Sequence, residues 1–180
     1  MSFIIQASCP RFTGILDSEA ETLSDAIESA FPLVNEVTII SWNYDPIMLS
    51  YKYDISIMID DILDILEATR IEVSGTKTVH WASNSFSNVW HLSWDNTQLS
   101  IKAEWGRVIG GTEQLLQTSG SVTLTKQSFS SEWKRVLQNI IAALGKSGYS
   151  EDRLPSMKRL IFEYEAIEME GTIESVKYSV

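Results

Sequence analysis

Cysteine and long apolar runs are scarce in this 180-residue chain. Cys9 is the single cysteine, so no internal disulfide can form and a cysteine-based zinc site is excluded. No apolar run approaches the ~20 residues that span a bilayer, and residues 1–10 lack the basic segment of a secretory signal. These absences, with the lack of any Asn-x-Ser/Thr acceptor, predict a cytoplasmic protein.

Positive charge is also in short supply. Fourteen Lys and Arg stand against 24 Asp and Glu, for a formal net charge of −10. Because phosphate backbones and anionic membranes are both bound through clustered basic side chains, neither nucleic acid nor a membrane is an expected partner. Residues 1–75 hold 13 acidic and 3 basic side chains, so this part alone carries the charge of −10. A cationic partner is therefore expected against the helices predicted at 18–31 and 56–68.

The middle of the chain has the clearest strand pattern. The composition is 44% apolar and 21% charged, typical of a globular protein, and we expect a single domain over residues 1–180. An Asp95-Asn96 turn would pair Leu92 with Leu99 and Trp90 with Ile101, giving one aromatic and one polar face. The β-rich segments, which together predict an antiparallel meander, are 77–83, 89–94 and 97–105.

Helical periodicity flanks this meander. Ser18 and Glu21 form a predicted capping box for the first helix, and Asp54 is the predicted cap of the second. A third helix is expected over Trp133–Leu144, whereas 157–169 fits a helix and a strand equally well. Further strands are expected at 2–7, 36–42, 47–53 and 121–126. Grouped strands with helices before and after predict an α+β fold, in which an antiparallel sheet is packed by two to four helices.

No catalytic or metal-binding motif is present. His80 and His91 are the only histidines, whereas metal sites usually need three or four ligands. A hairpin loop near Phe86 would put His91 beside Trp81 on the solvated face, with no evident carboxylate beside the ring. We therefore expect a protein that is not an enzyme, with no catalytic residue, cofactor or metal. An enzyme that uses His91 would need a carboxylate within ~3 Å of the ring.

An acidic stripe and exposed aromatic residues are the candidate partner-binding features. The stripe lies on the helix at 56–68 and lacks the Lys or Arg that would form i,i+4 pairs, which favours a basic partner. Two aromatic residues are predicted at the surface, one opposite the Trp90 face and one in a turn. The candidate residues are Asp60, Asp61, Asp64, Glu67, Tyr44, Asp45 and Trp81.

In size, acidity, tryptophan content and lack of a catalytic site, the chain resembles bacterial immunity proteins, which neutralise toxins that are often nucleases. The resemblance implies a stoichiometric inhibitor of a basic toxin, steered to it by complementary charge. One alternative is a sheet domain that binds a small molecule in an aromatic-lined pocket. The other is a small enzyme that uses His91.

Overall fold

The computed structural model describes residues 3–33 and 36–168. Its elements in chain order are β1 (Phe3–Gln6), α1 (Leu23–Ala30), β2 (Val37–Trp42), β3 (Asp45–Ser50), a π-helix (Tyr51–Ile55), α2 (Ser56–Ile71), β4 (Gly75–Ala82), β5 (Phe86–Trp94), β6 (Gln98–Val108), α3 (Glu113–Thr118), β7 (Val122–Thr125), α4 (Lys126–Lys146) and α5 (Met157–Ala166). The strands form two antiparallel sheets, with the orders β1-β2-β3 and β4-β5-β6-β7. The predicted α+β class and the antiparallel meander are confirmed.

The helices differ from the predicted ones mainly at their ends. α1 begins after a capping box of Thr22 and Asp25, which replaces the predicted box at Ser18 and Glu21. α4 begins earlier than predicted, because the Thr125 hydroxyl accepts the Ser128 amide and caps it. The segment that fits both a helix and a strand is helical over Met157–Ala166. With this helix the described part of the chain contains five α-helices, while Met169 lies outside it.

The β5–β6 hairpin has the predicted faces but a different register. Trp94 pairs with Leu99, so each residue lies two positions from its predicted partner. The turn is Asn96-Thr97, closed by a hydrogen bond from the Asp95 amide to the Gln98 carbonyl (3.0 Å). Asp95 precedes this turn because its carboxylate accepts the amide of Gln98 at 2.8 Å. A shift of two residues keeps every side chain on its face, so the division into aromatic and polar faces holds.

The β4–β5 register is shifted by an odd number, and this places Trp81 in the core. Trp81 pairs with Asn88, three positions from the predicted His91, and an odd shift exchanges the two faces of a strand. The Trp81 ring is 3% exposed and meets Trp90 edge-on at 5.2 Å between ring centroids. The prediction of Trp81 as an exposed anchor is therefore wrong, and His80 takes the place on the solvated face.

The aromatic face of the four-stranded sheet forms part of the hydrophobic core. Trp42 from the other sheet lies 5.4 Å from Trp90 and 5.0 Å from Trp105, measured between ring centroids. The fully buried ring of Phe129 adds α4 to the same cluster. These side chains fill the space between the sheets, so the aromatic face is part of the core and not the wall of a pocket.

The segment between β3 and α2 was predicted as strand but is a π-helix. The predicted strand at 47–53 ends at Ser50, and Tyr51 turns inward, where its hydroxyl donates to the Ala7 carbonyl at 2.6 Å. Asp54 is 1% exposed and does not cap α2. Its carboxylate instead accepts the Ser50 amide (2.7 Å) and the hydroxyls of Ser83 and Ser85. Hydrogen bonds to Asp54 therefore connect the segment before α2 with the β4–β5 loop.

Candidate functional site

The acidic stripe of α2 is partly neutralised by cations from distant parts of the chain. Asp64 accepts hydrogen bonds from Lys77 of β4 (3.0 Å) and Arg159 of α5 (2.5 Å), and Arg159 also binds Glu67 at 2.9 Å. The predicted absence of i,i+4 partners holds, but the inference that the stripe is uncompensated is wrong for Asp64 and Glu67, whose cations come from other elements. Asp60, which is exposed, and Asp61, which is half-buried, have no ion pair with any residue in the described ranges.

The pKa values of Asp61 and Asp64, which lie less than one turn apart on α2, are shifted in opposite directions. Burial and then the negative charge of Asp64 raise the pKa of Asp61 above its usual value. Burial also acts to raise the pKa of Asp64, but the hydrogen bonds from Arg159 and Lys77 outweigh it and the pKa is lowered. The folded state therefore disfavours the ionised form of Asp61 and favours that of Asp64.

The β2–β3 turn presents Tyr44 to solvent in a strained backbone conformation. Asn43 and Tyr44 have φ angles of 47° and 77°, as in a type I′ turn, whose second position favours glycine. The Tyr44 side chain is 82% exposed. The turn is held by the Asn43 amide group, which donates to the Ser119 carbonyl at 2.5 Å, and by the Ser119 hydroxyl, which donates to Asp45. Tyr44 is therefore a surface aromatic residue on a rigid support, as its predicted role requires, whereas Asp45 is engaged within the chain.

The seven candidate residues do not form one surface. Tyr44 and Asp45 lie at the start of β3, and α2 begins beyond the end of this strand. Trp81 is buried in the core and Asp45 accepts a hydrogen bond from Ser119, so the seven residues do not make up a single exposed surface.

A groove beside α1 carries an acidic cluster that no sequence motif marks. It has a volume of about 570 Å³, and its only cationic lining residue is Lys52. The Lys52 ammonium donates to the Glu28 backbone carbonyl and forms no ion pair with a carboxylate of the described residues. It lies 5.7 Å from the centroid of the 42%-exposed Tyr53 ring. The acidic lining residues are Asp17, Glu19, Glu21, Asp25 and Glu28. The uneven charge along the chain was the sequence signal for this groove.

His91 lies between a hydroxyl and a carboxylate on the solvated sheet face. The Thr78 hydroxyl is 3.2 Å from Nδ1, and a Glu104 carboxylate oxygen is 3.0 Å from Nε2. The expectation that no carboxylate lies beside the ring is therefore wrong. Both side chains are open to water, at 41% and 67% exposure for His91 and Glu104. The arrangement can pass a proton from a hydroxyl to an imidazole, in surroundings that do not exclude solvent.

The described residues offer neither a metal centre nor a membrane-spanning helix. These residues contain no group of three or more His, Cys, Asp or Glu side chains able to hold a metal ion. None of the described helices is both long and apolar enough to cross a membrane. Comparison with protein-family models, curated proteins and solved structures finds no match to this chain.

Proposed function

We propose that this chain is a stoichiometric binding protein that neutralises a basic protein, as the immunity proteins it resembles neutralise bacterial toxins. The observation that carries the proposal is the acidic groove beside α1, with five carboxylates and one lysine. Four of the five, at Glu19, Glu21, Asp25 and Glu28, are exposed. A concave surface with one sign of charge concentrates the field on an approaching cation and raises its association rate.

The groove supports a protein partner better than a small ligand. It is open, and its lining is mainly polar, whereas small-molecule sites are mostly enclosed and apolar. The Tyr53 ring, which is 42% exposed, lies beside the lining residue Lys52. An aromatic residue beside a charged rim is the usual composition of a protein interface, in which the apolar part supplies affinity and the charges supply rate and specificity.

The test pairs the chain with the protein encoded by the adjacent reading frame, which we expect to have a basic C-terminal domain. Co-expression in a bacterial host should protect against that domain, and the purified proteins should form a one-to-one complex. Replacing Glu19, Glu21 and Glu28 by Gln should slow association about tenfold at about 50 mM NaCl, with a smaller effect at about 500 mM.

A control variant separates the groove from total charge. Glu151, Glu165 and Glu168 are exposed and do not line the groove, so changing all three to Gln removes the same charge elsewhere. It should change the association rate by less than about twofold. The proposal fails if no complex forms, or if the two triple variants slow association equally.

A second candidate function, hydrolysis of an activated ester, is favoured by the contacts of His91. The Thr78 hydroxyl would attack the ester carbonyl carbon, His91 would take its proton, and the alcohol would leave with that proton; water would then hydrolyse the threonyl ester. With p-nitrophenyl acetate, His91→Asn and Glu104→Gln should both lower the rate. His80→Asn is the matched control, because His80 lies on the same face without such partners, and equal loss in both histidine variants would exclude a role for His91.

A further inference from the structure

The two sheets have four outer edges, and three of them are protected. At the free edge of β1, the Ile5 amide donates a hydrogen bond to the Glu132 carboxylate at 2.6 Å. β3 contains Pro46, which has no amide hydrogen, and its Ser50 amide is bound by Asp54. β7 has only four residues and packs beside β1. Each device prevents another strand from pairing at that edge.

The fourth edge, along β4, has none of these protections. β4 is eight residues long, contains no proline, and runs from Gly75 to Ala82. Its outward backbone groups have no hydrogen-bond partner anywhere in residues 3–33 or 36–168. An exposed edge of this length offers a row of amides and carbonyls with which a strand of another chain can pair.

The ladder of the sheet identifies the outward residues of β4. The Asp95 amide bonds to the Gln98 carbonyl, and the Lys126 amide bonds to the Thr97 carbonyl. Successive residues of a strand direct their amide and carbonyl groups to opposite sides. Gln98 and every second residue of β6 therefore bond to β5. The even-numbered residues of β5 consequently direct these groups towards β4. In the β4–β5 register these residues pair with Gly75, Lys77, Val79 and Trp81. The amides and carbonyls of Thr76, Thr78 and His80 consequently point away from the sheet.

The charge beside this edge is negative and incompletely paired. Lys77 binds Asp64 of α2 from the inner face of β4, whereas His80 lies on the solvated face. Asp61 stands three residues before Asp64 on α2, and the hydrogen bond between Asp64 and Lys77 holds this part of α2 beside β4. Asp60 precedes Asp61 and is exposed. A strand added here would therefore run next to two carboxylates that have no ion-pair partner among the described residues.

We propose that an extended lysine- or arginine-rich segment of the basic partner adds to β4 and becomes a fifth strand of this sheet. The charge of this partner rests on the function proposed above. Its backbone pairs with the amides and carbonyls of Thr76, Thr78 and His80, and its alternate side chains face Asp60 and Asp61. A second copy of the chain is a poorer occupant, because it would bring its own α2 carboxylates towards these.

The experiment uses a labelled synthetic peptide of alternating lysine and valine, with the eight residues that match β4 in length. Binding is measured by fluorescence anisotropy at about 50 mM NaCl. The control peptides replace lysine by glutamate or carry N-methyl groups on alternate backbone amides. The wild-type chain should bind the lysine peptide at least about tenfold more tightly than either control, because only this peptide offers both the charge and the hydrogen bonds.

Two substitutions of one residue separate the strand edge from its side chain. Thr78→Pro removes an outward amide that bonds to nothing in the sheet, and proline is tolerated at such edge positions. Thr78→Val keeps the amide and removes only the hydroxyl that contacts His91. Thr78→Pro should weaken peptide binding about tenfold, while Thr78→Val should leave it within about twofold. Circular dichroism of both variants is the check that they fold.

Each remaining outcome overturns the proposal. Absent peptide binding, or equal binding by the proline and valine variants, shows that the edge does not pair. A dimer of the wild-type chain in sedimentation that Thr78→Pro dissociates identifies a second copy as the occupant. The result is distinguishable from a failure of the proposed function, since the groove variants at Glu19, Glu21 and Glu28 leave the β4 edge unchanged.

Discussion

Replacing Tyr44 by glycine should make the protein more stable. Tyr44 occupies the second position of the β2–β3 turn with φ at 77°, a conformation that costs an L-residue with a Cβ about 1–2 kcal/mol. Glycine adopts it freely but loses more backbone entropy on folding, by about 0.5–1 kcal/mol. Because the side chain is 82% exposed, its removal forfeits little packing. The net gain is about 0.5–1 kcal/mol in the free energy of unfolding.

The comparison with alanine isolates the cause of this gain. Tyr44→Ala removes the same aromatic ring but keeps the Cβ and its strain, so its stability should stay close to that of the wild type. Asn43→Gly relieves strain at the neighbouring position and loses the hydrogen bond to the Ser119 carbonyl, so it should gain nothing. The assay is urea unfolding followed by far-ultraviolet circular dichroism, with m-values compared among the variants.

The thermal midpoint gives a second measurement of the same quantity. A gain of about 1 kcal/mol in a chain of this size corresponds to a rise of about 2–4 °C. If Tyr44→Gly is no more stable than Tyr44→Ala, backbone strain at this turn is not the reason for the effect and the reasoning is refuted. If it is more stable, then wild-type Tyr44 is retained at a cost in stability, as expected of a surface residue that binds a partner.

Further predictions concern Asp61, Asp64 and Asp54. Asp61→Asn should stabilise the protein at pH 7, because a raised pKa means that the folded state disfavours the ionised form, and this gain should vanish below about pH 4, where the carboxyl is protonated. Asp64→Asn should lower the free energy of unfolding at pH 7, because the lowered pKa of Asp64 contributes stability above about pH 4 that is lost as the pH falls. The variant should therefore lose less stability on acidification than the wild type. Urea titration across pH measures both effects. Asp54→Ala removes the acceptor of the half-buried Ser50 amide and of the Ser85 hydroxyl, and leaves the Ser83 hydroxyl only the Phe86 carbonyl. It should cost about 3 kcal/mol, against about 1 kcal/mol for Ser85→Ala. Equal losses would contradict the assignment of Asp54 as the centre of this network.

The two hairpins of the four-stranded sheet show which part of a fold a pattern can predict. Alternation of apolar and polar residues determines the faces of β5 and β6, and these survive because the register error is even. The β4–β5 loop gives no such guidance: the Ser83 hydroxyl accepts the Phe86 amide, a contact that no turn signature indicates. The register error between β4 and β5 is odd, so it exchanges the two faces of β4 and moves Trp81 from the surface to the core.

The acidic stripe of α2 shows a limit of another kind. Spacing along the helix reveals the absence of i,i+4 partners, but the cations that bind Asp64 are 13 and 95 residues away in sequence. No local pattern contains such contacts, since they depend on how β4 and α5 pack against α2. The charge count by segment proved more informative, because net charge is a sum that packing does not alter, and it pointed to the part of the chain that holds the acidic groove.

The burial of the tryptophans has an optical consequence. None of the six is more than 7% exposed, so water and dissolved quenchers such as iodide cannot reach the indole rings while the chain is folded. Several rings lie within 5–6 Å of one another, so excitation passes among them and the emission reports on the core as a whole. A partner that docks at the groove or at Tyr44 without moving these rings should leave the emission nearly unchanged, so a large change on such binding would indicate that the interior has rearranged.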